Sequence, residues 1–151
     1  MELPMRSSQQ LKILVAEDNL LNQKLMVQML DRLGYSADCV SNGLEALEAL
    51  HRQSYDVVLM DVQMPKMTGL CATREIRQEL PAATQPYIIA LTGRVLIEEQ
   101  AECFQVGMND CLTKPIRLEA LSNALSRQTA IARNLPEPPF SALKSQIVIE
   151  K

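Results

Sequence analysis

Ile13-Leu14-Val15-Ala16-Glu17-Asp18 decides how the fold is read: four apolar residues without interruption, then two adjacent acids. A run that short and continuous fits a strand covered on both faces. Val57-Val58-Leu59-Met60, ended by Asp61, and Tyr87-Ile88-Ile89-Ala90-Leu91, ended by Thr92, repeat the pattern. Ala37-Asp38-Cys39-Val40 and Cys111-Leu112-Thr113, the latter ended by Lys114, are shorter and more polar, as edge strands can be.

Helical periodicity fills the gaps. Leu21, Leu25, Met26, Met29, Leu30 and Leu33 recur at helical spacing, and Gly34 stands where a C-terminal cap belongs. Asn42 with Glu45 predicts a capped start that leads into Leu44, Leu47 and Leu50. Ala72, Thr73, Ile76 and Leu80 form a third stripe, stopped by Pro81. Ile97, Ala101 and Phe104, closed by Gly107, form a fourth, and Leu118, Leu121 and Leu125 a fifth. Five strand–helix units in alternation predict an α/β fold: a doubly wound parallel sheet with right-handed crossovers and helices on both faces. Met26, Met29 and Met60 read as core filler, and Gly69 as a turn or close-packing residue.

The whole chain has 151 residues, which fits one domain of ordinary size. Residues 1–10 read as an N-terminal extension, 11–129 as the domain, and 130–151, with Pro136, Pro138 and Pro139, as a tail or linker. With 15 basic against 18 acidic residues the net charge is −3, which argues against nucleic-acid binding by bulk electrostatics. The 3% aromatic content and the lack of Trp leave no stacking platform for single strands. No apolar run approaches the ~20 residues of a bilayer span, and no secretory signal opens the chain. Cys39, Cys71, Cys103 and Cys111 form no CxxC pair, so they read as small hydrophobes of a cytoplasmic protein. His51 is the lone histidine, so no multi-histidine metal site can form, and it reads as a surface residue near a helix end.

In open parallel sheets ligands bind beyond the carboxyl ends of the strands. Glu17, Asp18, Asp61, Thr92 and Lys114 end four separate runs, and all would meet on one rim. Singly, each has a bland reading: Asp61 as a turn residue, Glu17-Asp18 as a helix cap, Lys114-Pro115 as an ordinary turn. Their coincidence favours a site. Three carboxylates and one ammonium give a formal −2 in a small volume, and such like charges repel unless a cation intervenes. Carboxylates and water suit Mg²⁺, which keeps positions open for phosphate oxygens. Thr92 then offers a hydroxyl donor and Lys114 a point positive charge to a phosphoryl group. Asp61, standing alone on its strand, is the candidate nucleophile, forming an aspartyl phosphate.

Leu14-Val15-Ala16-Glu17-Asp18-Asn19, Leu59-Met60-Asp61-Val62-Gln63-Met64-Pro65, Ala90-Leu91-Thr92 and Leu112-Thr113-Lys114-Pro115 closely resemble the response-regulator receiver (CheY-like) domain, over roughly Leu11 to Gln128. Asn22-Gln23 and the segment around Asp61 look most like the receivers of hybrid sensor histidine kinases. The resemblance implies five strands in the flavodoxin-like order 2-1-3-4-5, and transfer of phosphate from phosphohistidine to Asp61. It implies that Glu17, Asp18, Asp61 and the backbone carbonyl of Gln63 hold Mg²⁺. Lys114 would contact the phosphoryl oxygen, Thr92 would sense it, and the Lys114-Pro115 bond would be cis. The partner would be a histidine kinase or a histidine phosphotransfer domain. Output would run through the fourth helix, fifth strand and fifth helix, a face that could also pair two copies.

One position departs from the family: three residues before the lysine, where Tyr or Phe is usual, stands Cys111. A thiol is too small to carry the same steric signal, so output would rest mainly on the Thr92 loop. Gln63 and Arg94, two residues beyond Asp61 and Thr92, occupy positions that in this family modulate access of water to the phosphoryl group. No glycine boxes for ATP and no phosphoacceptor histidine motif are present. The chain therefore reads as a phosphoacceptor, not an enzyme by itself, either a stand-alone receiver or one cut from a longer phosphorelay protein.

Three rivals differ in testable ways. A haloacid-dehalogenase-type phosphatase also uses an aspartyl phosphate, but needs a second acid where this chain has Gln63. A flavodoxin needs a Ser/Thr/Gly-rich phosphate loop after the first strand, where Glu17-Asp18-Asn19 would repel phosphate. A phosphorylation-independent interaction module has no need of intact Glu17, Asp18, Asp61, Thr92 and Lys114.

Overall fold

A computed structural model describes residues 11–93 and 97–132. Strands and helices alternate as β1 (Ile13–Ala16), α1 (Leu20–Arg32), β2 (Ala37–Val40), α2 (Gly43–Arg52), β3 (Val57–Asp61), α3 (Gly69–Glu79), β4 (Tyr87–Thr92), α4 (Ile97–Gln105), β5 (Asp110–Thr113) and α5 (Leu118–Ala132). A 3-10 turn at Ala82–Thr84, which the periodicity did not disclose, leads into β4. All strand pairs are parallel, in the order β2-β1-β3-β4-β5.

Every residue of β1, β3 and β4 is buried, as their unbroken apolar runs require. The more polar β2 and β5 are the two edges. Side chains alternate between two cores. Ile13, Val15, Leu59, Ile89 and Leu91 pack under α1 and α5 against Met26, Leu30, Leu121 and Leu125. Leu14, Val58, Met60, Ile88 and Ala90 pack under α2, α3 and α4 against Leu50, Ala72, Ile76 and Cys103.

Helix ends follow local chemistry. Asn42 Oδ1 accepts the Glu45 N–H at 2.9 Å, and Glu45 Oε1 in turn accepts the Ser41 N–H at 2.8 Å. Gly34, at φ 94°, ends α1, and the next amide, of Tyr35, donates back to the Leu30 carbonyl at 2.9 Å. Gly107, at φ 113°, closes α4 in the same way.

Two readings of the sequence need correction. Glu17-Asp18 do not cap α1; Asn19 does, accepting the Asn22 N–H on its side chain. Leu21, Leu25, Leu44 and Ile97 are exposed, not part of the core. For α1 the reason is length: four strand residues span ~13 Å while thirteen helical residues span ~20 Å, so its start overhangs the rim. The last helix, α5, ends at Ala132. The extension 1–10, Arg94 and most of the tail lie outside the described residues.

The end of the sheet opposite the strand carboxyl termini is fastened by polar groups. Arg77 of α3 donates to the carbonyls of Gly107 and Pro86 and to Gln85 Oε1 and Asn109 Oδ1, at 2.7–2.9 Å. Burial lowers the pKa of its guanidinium. Asp110, fully buried at the start of β5, accepts from Arg127 of α5 at 2.7 and 3.1 Å and from the Tyr87 hydroxyl at 3.3 Å. The Asp56 N–H donates to the Lys12 carbonyl and Asp56 Oδ2 accepts the Lys12 N–H, both at 2.8 Å.

Candidate functional site

Parallel register brings the ends of β1, β3, β4 and β5 to one rim. The chain leaves β1 at Glu17, and the Glu17 N–H donates to the Val40 carbonyl of β2 at 3.0 Å, which holds the first acid at the sheet. Gln23, one turn into α1, donates its amide to the Glu17 carbonyl at 2.7 Å. Glu17 Oε2 accepts the Asn19 N–H at 3.1 Å and the Asn22 amide at 3.4 Å. These contacts fix Glu17 with only 3% of its surface exposed, while the adjacent Asp18 faces solvent.

Asp61 ends β3 and is 4% exposed. Its Oδ1 accepts the Gln63 N–H at 3.2 Å, so the loop after β3 folds back over the carboxylate. The Val62 N–H donates to the Leu91 carbonyl at 3.1 Å and the Gly69 N–H to the Val62 carbonyl at 2.9 Å. Gly69 has to be glycine: a Cβ there would collide with the backbone carbonyl of Asp61. Its role is thus close packing, directly beneath the central acid.

One carboxylate oxygen from each of Glu17, Asp18 and Asp61 lies within 4.8 Å of the others. Lys114, from the loop after β5, reaches in: its Nζ stands 3.0 Å from Asp61 Oδ2 and 3.3 Å from Glu17 Oε1. Its N–H donates to the Thr92 carbonyl at 2.7 Å, and the Lys114-Pro115 peptide is cis, as the resemblance implied. Burial pulls the pKa of the Lys114 ammonium down, but Asp61 and Glu17 outweigh this and leave it above its usual value. Beside the acids a cleft of about 540 Å³ opens, lined by Glu17, Lys114, Leu25, Met29, Gly93 and Ile116 among others.

Thr92 ends β4, 2% exposed, and its hydroxyl donates to Glu99 Oε1 at 3.0 Å. Glu99 is a functional candidate that sequence reasoning missed. The signal was present in the acidic pair Glu98-Glu99 at the first turn of α4. Gln63 is exposed, with its backbone against Asp61. Cys111 is partly buried, packed with Val106 against the core that holds Ala90 and Cys103. It pairs with Ala90, two residues before Thr92. Burial, with Cys103, Asp110 and Glu99 nearby, pushes its thiol up to about 12. His51 bonds Glu79 at 2.9 Å on the exposed surface of α2 and α3, away from the rim.

Hard oxygen donors converge here from separate strand ends, with one ammonium between two of them, a set that could hold a divalent cation. Residues 13–126 match the model of the response regulator receiver domain. The chain belongs to that family. It is 40% identical over 126 residues to histidine protein kinase 1 of Candida albicans, covering 78% of this chain and 5% of that protein. It is 42% identical over 114 residues to the hybrid signal transduction protein dokA of Dictyostelium discoideum, covering 76% and 7%. It is 38% identical over 114 residues to the sensor histidine kinase RcsC of Escherichia coli, covering 76% and 12%. The chain thus spans 5–12% of the length of these relatives.

Among solved structures, the receiver domain of the sensor histidine kinase PA1611 from Pseudomonas aeruginosa, with magnesium coordinated in its active site cleft, is similar at TM-score 0.71 and 41% identity, covering 78% of this chain and 96% of that one. The receiver of the Saccharomyces cerevisiae response regulator Ssk1, co-crystallised with the histidine phosphotransfer protein Ypd1, is similar at TM-score 0.72 and 28% identity, covering 78% and 88%. No helix among the described residues is long and apolar enough to cross a membrane.

Proposed function

We propose that this receiver takes a phosphoryl group from a phosphohistidine onto Asp61 in the presence of Mg²⁺, and signals by a change in its surface. The observation that carries this reading is the convergence of Glu17, Asp18 and Asp61 within 4.8 Å, with Lys114 bonded to two of them. The donor set fits Mg²⁺: three carboxylates and no soft ligand, formally −3, with one ammonium offsetting a single charge. Glu17, Asp18 and Asp61, with the Gln63 carbonyl, would hold the ion. When bound, it neutralises charge on the phosphoryl oxygens.

Asp61 is the nucleophile. As its carboxylate oxygen bonds phosphorus, the P–N bond to histidine breaks and the imidazole keeps the bonding pair. Lys114 offsets the negative charge gathering on the transferred group. The Gln63 N–H fixes the Asp61 carboxylate so that little reorganisation precedes attack. With Gln63 two residues on, no side-chain acid stands there to protonate a leaving alcohol, so the acceptor reading is favoured over the phosphatase one.

The donor is assigned as a histidine kinase or a histidine phosphotransfer domain. Leu20 and Leu21, 69% and 66% exposed at the start of α1, border the acids and give such a partner an apolar surface to cover. The experiment is incubation with Mg²⁺ and a small phosphodonor, followed by intact-mass measurement. One added phosphoryl group is expected, lost in Asp61→Asn and on removal of Mg²⁺. Turnover of phosphate monoesters without an adduct would favour the phosphatase.

A further inference from the structure

We propose that Glu99 is a positioning residue that holds the Thr92 hydroxyl away from the phosphoryl site, and that release of this bond links Asp61 to α4. The inference rests on the acceptor reading above. Thr92 is fixed through its backbone, because its carbonyl accepts the Lys114 N–H at 2.7 Å and its strand is paired on both sides. What can change is the direction of its hydroxyl. That hydroxyl carries one proton, and it is given to Glu99 Oε1 at 3.0 Å. A proton donated to Glu99 is not available to an oxygen on Asp61. The two bonds are mutually exclusive.

Both acceptors are anionic, so both bonds are of the stronger, charge-assisted kind. An aspartyl phosphate brings more negative charge to the rim than the free carboxylate does, and competes for the proton of Thr92. Once Thr92 turns, Glu99 loses its partner at the first turn of α4, the helix that packs against β5. Glu99 therefore favours the unphosphorylated state, and by linkage phosphorylation weakens its hold. This route needs no aromatic ring on β5, where Cys111 stands. Glu99 also raises the Cys103 and Cys111 thiols, behind burial in both and behind Cys103 and Asp110 for Cys111.

The test uses the full chain with Mg²⁺ and beryllofluoride, a reversible mimic of the phosphoryl group. Glu99→Ala should tighten beryllofluoride binding about fivefold, the scale of one hydrogen bond. It should also move the Thr92 methyl NMR signal, before any ligand is added, toward its position in the ligand-bound wild type. Glu99→Gln, which keeps the side-chain length and a neutral acceptor, should fall between. In a Thr92→Ala background the effect of Glu99→Ala on binding should vanish, since there is no hydroxyl to hold.

Unchanged binding and an unmoved Thr92 signal in both Glu99 variants overturn the inference. So does a full effect that persists with Thr92→Ala, which would trace it to charge alone. If the wild type binds no beryllofluoride and takes no phosphoryl group, the acceptor reading itself falls, and this inference with it.

Discussion

Lys114 Nζ stands 3.0 Å from Asp61 Oδ2 although 53 positions separate the two residues in the chain. The contact reaches past one strand, because β4 lies between β3 and β5. Lys114 is both the counter-charge of the resting site and a competitor for any cation that binds there. Lys114→Met takes the formal charge of the site from −2 to −3. Mg²⁺ affinity, read by calorimetry, should rise several-fold while phosphoryl uptake falls by about two orders of magnitude. Parallel losses of both would show that the lysine only supports the fold.

Gly69→Ala places a methyl group against the backbone carbonyl of Asp61, which cannot move without moving β3. A cost of about 1–3 kcal/mol in urea unfolding is expected. Uptake by the folded fraction should slow as well, since the acid itself is displaced.

Arg127→Ala leaves the fully buried Asp110 without its cation. Loss of one partner of a buried pair costs about 3–5 kcal/mol. Adding Asp110→Asn should recover part of it, because the stranded charge is gone. Phosphoryl uptake by molecules that remain folded should be unaffected.

The thiols should separate by reactivity. Cys71 is exposed and should react first with a maleimide at neutral pH. Burial leads the causes that push Cys103 up to about 11 and Cys111 up to about 12, so both should react slowly until the chain unfolds. The same shifts set a pH dependence. In the unfolded chain these thiols ionise near 9.0, well below their folded values. The unfolded state therefore sheds protons first, and the stability present below pH 9 should decline as pH rises from about 9 to about 12. Urea midpoints across that range check the sign.

The strands were legible because β1, β3 and β4 are buried on both faces and carry nothing but apolar residues until the rim. The acids of the site were legible for the same reason, since each interrupts such a run. Leu21 and Leu25 misled because periodicity reports a face but not what lies beneath it. Arg77 and the Asp110–Arg127 pair left no local trace: their partners lie 8 to 32 positions away and are mostly neutral carbonyls or a single acid. Glu99 went unseen because an acid in the first turn of a helix already has an ordinary explanation in the helix dipole. Its contact with Thr92 depends on how the intervening loop returns, which no motif encodes.

Arg77, Arg127 and the Lys12–Asp56 clasp all grip the sheet at one end, so the molecule is built like a fan riveted at its handle. Side chains at the open edge can answer a change of charge by turning, while the paired strands beneath them stay put. Damage to the rivets should then alter how long the fan survives, and damage at the tips what it tells its neighbours.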